Sequence, residues 1–297
     1  PSVKRGNGAG HIKRCVTLAE ELIRLGADAS ILVYCGSSGD DCYTIDEVTL
    51  FFGKTNRRKP GLIRNAEAGE WDICVFDSRQ TPDAIFSHFS GRTVCLGIDE
   101  GGKLREYFDY LVDILPNLEK NPANIISQGF LNLPEGIENT LPVNDETFPA
   151  VKNVLITFGG EDEADLTGRF LDMIHDTGVL DAAEITVVIG PLFKNKDPRP
   201  GVTAVNAPEN LAERLGDYDL VITSFGITCF EALHSYVPVV LFNPSQYHKS
   251  LSVRAGLPEI GVMHPEAGKL EEYLGSPEKI YRPVKLYSGL KRINLAE

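Results

Sequence analysis

Short, almost wholly apolar runs alternate along this chain with stretches whose apolar residues recur every three or four positions. The runs are "ASILVYC" (29–35), "DICVFDS" (72–78), "TVCLGID" (93–99), "YLVDIL" (110–115), "NVLITFG" (153–159), "ITVVIG" (185–190), "DLVITSF" (219–225) and "VPVVLFN" (237–243). Runs so short and so uniformly apolar fit parallel strands covered on both faces. Helical periodicity is clearest over 11–25, 162–176, 208–215, 227–236 and 246–256. In the first of these, Cys15, Val16, Leu18, Ala19, Leu22, Ile23 and Leu25 make one apolar face, and Gly26 is placed to end the helix. Strands alternating with amphipathic helices predict an α/β chain of the doubly wound kind.

The segment "LPEGIENTLPVNDETFPA" (133–150) breaks the alternation with three prolines and many polar residues. It reads as a linker, and divides the chain into two Rossmann-like domains, 1–140 and 141–297, with parallel sheets facing one cleft. A further expectation comes from the N-terminus. The Gly-rich stretch "RGNGAGHIKR" precedes the first helix, and a turn of this kind normally follows a strand. "PSVKR" is too short and polar to be that strand, so the first strand is expected to be missing from this chain and supplied by a larger polypeptide.

Composition narrows the function classes. The chain has 297 residues, 42% of them apolar, and a net charge of −13. That charge argues against nucleic acid or an anionic membrane as the main partner. It leaves room for a phosphorylated small molecule, which a local Gly-rich turn can bind. No apolar run is long enough for a membrane span. The six cysteines form no C-x-x-C pair, and three lie in strand-like runs, which fits reduced thiols in a cytoplasmic protein. Nothing in their spacing suggests a metal site.

Three turns lead into helices, the second and third directly from a strand. The first, Gly6 to Gly10, leads into a helix beginning near His11; the first amides of that helix lack partners and attract anions. Glycine lets backbone approach a phosphate closely, and His11, Lys13 and Arg14 add donors or charge. The pattern is neither the dinucleotide fingerprint nor a Walker loop, so a bare structural turn remains the alternative. The second turn carries Gly159 and Gly160. The third carries Ser224, Gly226 and Thr228, with Glu231 one helical turn on. Thr228 reads as a cap or as a phosphate donor, and Glu231 as a ribose ligand or a complement to the helix dipole. Asp77, Asp99 and Asp113 lie near strand ends, either as general bases or as acceptors holding loops. His248 with Lys249 begins a helix, and "TNRRKPG" (55–61) reads as a solvated basic loop.

These residues, in order, resemble a known family. "GNGAGHIKRCVTLAEEL" is similar to the G-x-G-H-x-x-R-C start of the nucleotide-sugar hydrolase of pseudaminic acid biosynthesis and of the spore-coat polysaccharide biosynthesis proteins related to it. "CVFDSR", "LGIDEGG", "YLVDILPN", "LITFGGEDEADLT" and "DLVITSFGITCFEALHSYVPVVLF" resemble its later blocks, so the resemblance runs from residue 6 to about residue 250. It implies the two-domain glycosyltransferase fold called GT-B, with the sugar and acceptor toward the N-terminal domain and the nucleotide on the C-terminal one. It also implies metal-independent chemistry with no cofactor, on a UDP-sugar or other nucleotide-activated sugar.

By position, His11 matches the family's active-site histidine, Gly8 and Gly10 let substrate approach, and Arg14 stands beside them. Glu231 matches the ribose acid, and Ser224, Gly226 and Thr228 meet the diphosphate. Gly159, Gly160 and Gly190 match loops of the nucleotide side, and Gln246 matches part of a late N-Q pair. The sequence also departs from the family. Its D-x-Y tyrosine is Arg79, a permanent cation suited to phosphate; Ser245 replaces the asparagine of the N-Q pair; Ser235 replaces a glycine. With His11, Asp77 and Arg79 as the catalytic candidates, the resemblance implies cleavage of a nucleotide-activated sugar in surface-polysaccharide or glycan biosynthesis, and the departures at Arg79 and Ser245 favour transfer of the sugar to a hydroxyl. The alternatives are hydrolysis in a nonulosonic-acid type pathway, nucleotide-eliminating epimerisation, and a non-catalytic nucleotide-binding module fused to or associated with a nucleotidyltransferase. A dehydrogenase is a further, weaker class.

Overall fold

The structure is a computed structural model, and it describes residues 10–33, 60–63, 66–115, 121–131, 148–194, 201–206, 208, 211–288 and 293–296. The chain divides into two compact units, Pro1–Phe130 with Ile293–Glu297, and Leu131–Arg292. Most of the expected linker at 133–150, Gly8, and most of the basic loop at 55–61 lie outside the described residues. Among the described residues no helix is long and apolar enough to cross a membrane.

Among the described residues of the first unit, helix α1 (Gly10–Arg24) comes first, and its buried residues Ile12, Val16 and Ala19 keep the predicted spacing. Gly26 ends it as expected. With φ 96° it donates to the Ile23 carbonyl at 3.0 Å, while Ala27 donates to Leu22 at 3.0 Å. This is the paired bonding of a Schellman end, which needs the left-handed backbone that glycine tolerates. Strands β1 (Ser30–Leu32) and β2 (Gly61–Ile63) pair in parallel. A second parallel sheet runs β3 (Ile73–Asp77), β4 (Val94–Ile98), β5 (Tyr110–Asp113) and β6 (Ile125–Ile126). Helix α2 (Asp83–Phe89) connects β3 to β4 and lays Phe86 and Phe89 over one face, against Phe76 and Phe108. Trp71 joins this cluster as a packing residue.

The second unit is one seven-stranded sheet. Its strands and helices are β7 (Asn153–Ile156), α3 (Leu166–Thr177), β8 (Glu184–Ile189), β9 (Thr203–Asn206), α4 (Leu211–Arg214), β10 (Leu220–Thr223), α5 (Ile227–His234), β11 (Val239–Asn243), α6 (Gln246–Arg254), β12 (Glu259–Val262), β13 (His264–Pro265), α7 (Ala267–Gly275) and α8 (Pro277–Tyr287). Among the described residues the strand order is β13-β12-β11-β10-β7-β8-β9, with only the β12–β13 pair antiparallel. Counting β7 as the first strand, the parallel part reads 6-5-4-1-2-3, the doubly wound order. Every residue of β10 and β11 is buried, as a sheet covered on both faces requires.

Burial also leaves one group exposed to acid. His234, at the end of α5, is buried, and its Nδ1 has no hydrogen-bond partner. Burial pushes its pKa below the ordinary histidine value. Between the folded and unfolded pKa the unfolded chain binds the extra proton, so stability rises with pH there. Stability is therefore expected to be flat above about pH 6.5, the unperturbed value, and to fall as pH drops below it. His234→Gln should flatten that fall in urea titrations between pH 7 and 5. An unchanged slope would assign the acid sensitivity elsewhere.

Candidate active site

The first turn of α1 presents His11 and Arg14 one turn apart, on the same side of the helix. Opposite them are the carboxyl ends of β3 and β4. His11 Nδ1 lies 2.6 Å from Asp77 Oδ1. The Arg14 guanidinium grips the same carboxylate with Nε to Oδ2 and Nη2 to Oδ1, both at 2.6 Å. Its Nη1 donates to Asp99 Oδ2 at 2.5 Å. Asp99 has a left-handed backbone, φ 49°, unusual for a non-glycine residue. Its other oxygen accepts the Ile114 and Leu115 amides at 2.7 and 3.0 Å. One arginine thus ties the start of α1 to the ends of three neighbouring strands.

The electrostatics follow from burial and pairing. Burial alone would raise the Asp77 pKa, but Arg14 and His11 overcome it and hold the carboxyl well below the usual range. For Asp99 burial prevails over Arg14, and its pKa is raised. Burial works against the Arg14 cation, yet the two aspartates raise its pKa further above the ordinary arginine value. An ionised Asp77 can only accept, so His11 must place its proton on Nδ1 when neutral. That leaves Nε2 as an acceptor on a side chain 27% exposed. The arrangement can take a proton from a hydroxyl or water and stabilise the resulting imidazolium.

Beside this group a third buried carboxylate joins two loops. Glu100 accepts the Thr81 amide at 3.0 Å, the Thr81 hydroxyl, and the Gly102 amide at 2.7 Å. Gly101 donates to the Arg79 carbonyl at 2.9 Å. The backbone that carries exposed Arg79, two residues past Asp77, is therefore fixed from both sides. Asp113 is not placed as a free base: it pairs with buried Arg105 through two bonds of 2.9 and 2.7 Å.

In the second unit the other candidates gather at the carboxyl ends of β7, β8, β10 and β11, around the switch point between β7 and β10. Gly159 has φ 85°. A Cβ on Gly190 would come within 2.6 Å of both the Gly159 and Gly160 carbonyl oxygens, so the β8 loop lies directly on the β7 turn and admits no side chain there. The first amides of α3 are partly occupied: Asp162 accepts from Leu166 at 2.7 Å and Thr167 at 2.8 Å. The α5 end is different. Gly226 takes the capping position with no side-chain bond, which replaces the expectation of Thr228 as a cap. Thr228 lies in the first turn, Ser224 is half-buried, and Glu231 is buried one turn on. Gln246 is exposed at the start of α6, whose capping residue is Ser245; the Ser245 hydroxyl is also 2.8 Å from His248 Nδ1.

The structure thus joins His11, Arg14 and Asp77 in the first unit, with Gly10 opening α1. It gathers Gly159, Gly160 and Gly190, and separately Ser224, Gly226, Thr228 and Glu231, in the second. Sequence reasoning passed over Glu100 and Asn243. Asn243 accepts the Phe225 amide at 3.1 Å and donates to Ser252 at 3.1 Å, which fixes the turn carrying Ser224 and Gly226. A polar residue closing a wholly apolar strand, as in "VVLFN", was the available signal. Among the described residues no cluster of three or more His, Cys, Asp or Glu is placed to hold a metal ion.

No protein-family model matches the chain. It is 33% identical over 268 residues to the uncharacterized protein MJ1062 of Methanocaldococcus jannaschii, a match covering 82% of this chain and 54% of that protein. The chain therefore spans about half the length of the curated relative it matches. Among solved structures it is similar to a putative UDP-N-acetylglucosamine 2-epimerase from Listeria monocytogenes, with TM-score 0.56 and 12% identity, covering 96% of this chain and 89% of that one. It is also similar to MurG of Acinetobacter baumannii, with TM-score 0.56 and 13% identity, covering 94% and 91%. At these identities the likeness establishes the fold: two Rossmann-like domains of the GT-B type.

Proposed function

We propose that the protein breaks the bond between the anomeric carbon and the diphosphate of a nucleotide-activated sugar, and passes the sugar to a hydroxyl. The reading rests on one observation: an imidazole held by a buried, ionised aspartate at the start of α1, in a GT-B fold. In this reading His11 Nε2 takes the acceptor's proton as the new C–O bond forms. The old C–O bond breaks with its electron pair going to the departing diphosphate. Asp77 stays ionised and stabilises the imidazolium, which makes it a positioning residue. Arg79, exposed and permanently charged where the resembled family has tyrosine, supports a role on phosphate. Arg14, with three nitrogens on Asp77 and Asp99, organises the site instead of meeting substrate.

The nucleotide belongs on the second unit in this proposal, with its diphosphate at the α5 start near Ser224, Gly226 and Thr228, its ribose near Glu231, and its base near Gly190. Gly159, Gly160 and Gln246 border it. Water in place of the hydroxyl gives the hydrolase reading, for which the same base serves. A surface-polysaccharide or nonulosonic-acid pathway is the setting that the sequence resemblance supports.

The test is a thermal-shift panel of nucleoside mono- and diphosphates, followed by nucleotide release from the matching nucleotide sugar. At about 100 times its dissociation constant a true ligand adds roughly 2.7 kcal/mol of stability. One base should stand out, and release should need an added acceptor. Release without acceptor selects hydrolysis. No stabilisation by any nucleotide contradicts the proposal.

A further inference from the structure

Two polar side chains of the second unit lie fully buried, and the proposed reaction gives neither of them a task. Asn243 closes β11, and Ser252 lies within α6. Neither suits its element. An asparagine destabilises an apolar strand unless its amide is bonded, and a serine that bonds back to the carbonyl four residues earlier weakens its helix. Ser252 makes that bond, donating to the His248 carbonyl at 2.9 Å. What offsets both penalties is the link between the two residues.

That link runs in one direction only. The Phe225 amide can only donate, so the oxygen of the Asn243 side chain faces it, at 3.1 Å. Nδ2 is then left to donate to Ser252 Oγ, also at 3.1 Å. A hydroxyl that accepts there turns its one proton to the His248 carbonyl. Three bonds therefore run from the turn between β10 and α5, through the end of β11, into α6. Asn243 is itself held to the sheet, since its carbonyl accepts the Met263 amide at 3.1 Å.

Each end of this chain lies among candidate residues. The buried Phe225 ring meets Phe230 edge-on, with centroids 5.6 Å apart, so residue 225 is held inward by ring and amide together. Its neighbours Ser224, Gly226 and Thr228 are only partly buried. At the far end His248 shares the start of α6 with the capping Ser245 and with exposed Gln246.

We propose that Asn243 and Ser252 are positioning residues of the nucleotide site, a buried relay that sets the turn after β10 and the start of α6 against each other. The inference rests on the reading that places the diphosphate at that turn. Neither residue touches the nucleotide. They fix the spacing between the two segments that border it, so loosening α6 also loosens the turn.

The test uses Ser252→Ala, which breaks the relay, beside Tyr287→Phe. The second removes one buried bond to the same helix, from the Tyr287 hydroxyl to the Ala255 carbonyl, and leaves the relay intact. Amide exchange without ligand is read at Phe225 as a ratio to Leu241 of β11, which cancels any change in global stability. With one buried donor left without a partner, that ratio should rise about tenfold in Ser252→Ala and stay within about twofold in Tyr287→Phe. Affinity is then measured for the uridine, thymidine, guanosine, adenosine and cytidine diphosphates. The bound one should weaken about fivefold or more in Ser252→Ala alone, with turnover at saturating substrate within a few-fold of the unaltered protein. An unchanged exchange ratio, an unchanged affinity, or equal effects in the two variants would overturn the proposal. If the unaltered protein binds none of the five, the proposed function fails instead, and the exchange ratio still decides whether the relay exists.

Discussion

Replacing His11 with alanine is expected to lower turnover by about 10²- to 10⁴-fold, the usual contribution of a positioned acid–base group. The fold should tolerate the change. His11 is partly exposed, and Asp77 keeps both Arg14 bonds, so no buried charge is left alone. Nucleotide affinity should stay within a few-fold, since the proposed nucleotide residues lie in the second unit. The measurement is steady-state release of nucleotide beside a thermal-shift titration of the same variant. Unchanged turnover would remove His11 from the chemistry. Loss of nucleotide binding in parallel would show that the substitution had acted through folding.

Arg14→Met carries the largest expected stability effect. It leaves Asp77 and Asp99 buried without their shared cation, and breaking a buried pair from one side costs about 3–5 kcal/mol. Both carboxyls should then shift toward protonation, so the variant should recover part of its stability as pH falls toward 5. Urea unfolding at pH 7 and pH 5, followed by a probe in the first unit such as Trp71, reads both effects. Arg14→Lys should recover little, because a single ammonium cannot span the two carboxylates in this geometry. A loss below about 1 kcal/mol would mean that the network is solvated and contributes as a surface pair does.

Much of this frame was legible in the chain. The apolar face of α1 and the glycine ending it follow from spacing and from the left-handed backbone that Gly26 adopts. The eight apolar runs all became strands, because near-continuous burial leaves few other structures open to them. Strands of two to four residues, such as β2, β6 and β9, were missed; so few residues carry no period. The helix expected from 162 begins at Leu166, because Asp162 turns back to accept amides of its first turn. The pattern at 208–215 became only Leu211–Arg214 followed by a single 3₁₀ turn, Leu215–Asp217.

The site was legible in part for the same reason. His11 and Arg14 stand out in a glycine-rich turn, and Asp77 and Asp99 stand at strand ends. Their pairing spans more than sixty residues, and no local pattern reports it. Arg14 looked like a substrate ligand because an arginine beside a glycine turn suits phosphate. Only the fold shows its guanidinium already engaged by two carboxylates. Glu100 and Asn243 escaped notice because a buried polar residue is identified by its partners, which the sequence does not display.

The central assertion is that Asp77 fixes the His11 proton on Nδ1 and leaves Nε2 to act as base. Nitrogen-15 NMR of the imidazole reads this directly, in the protein alone and at a pH where the ring is neutral. The hydrogen bond to ionised Asp77 predicts a protonated Nδ1 and a bare Nε2, with the preference lost in Asp77→Asn. A ring carrying its proton on Nε2 in the unaltered protein would contradict it.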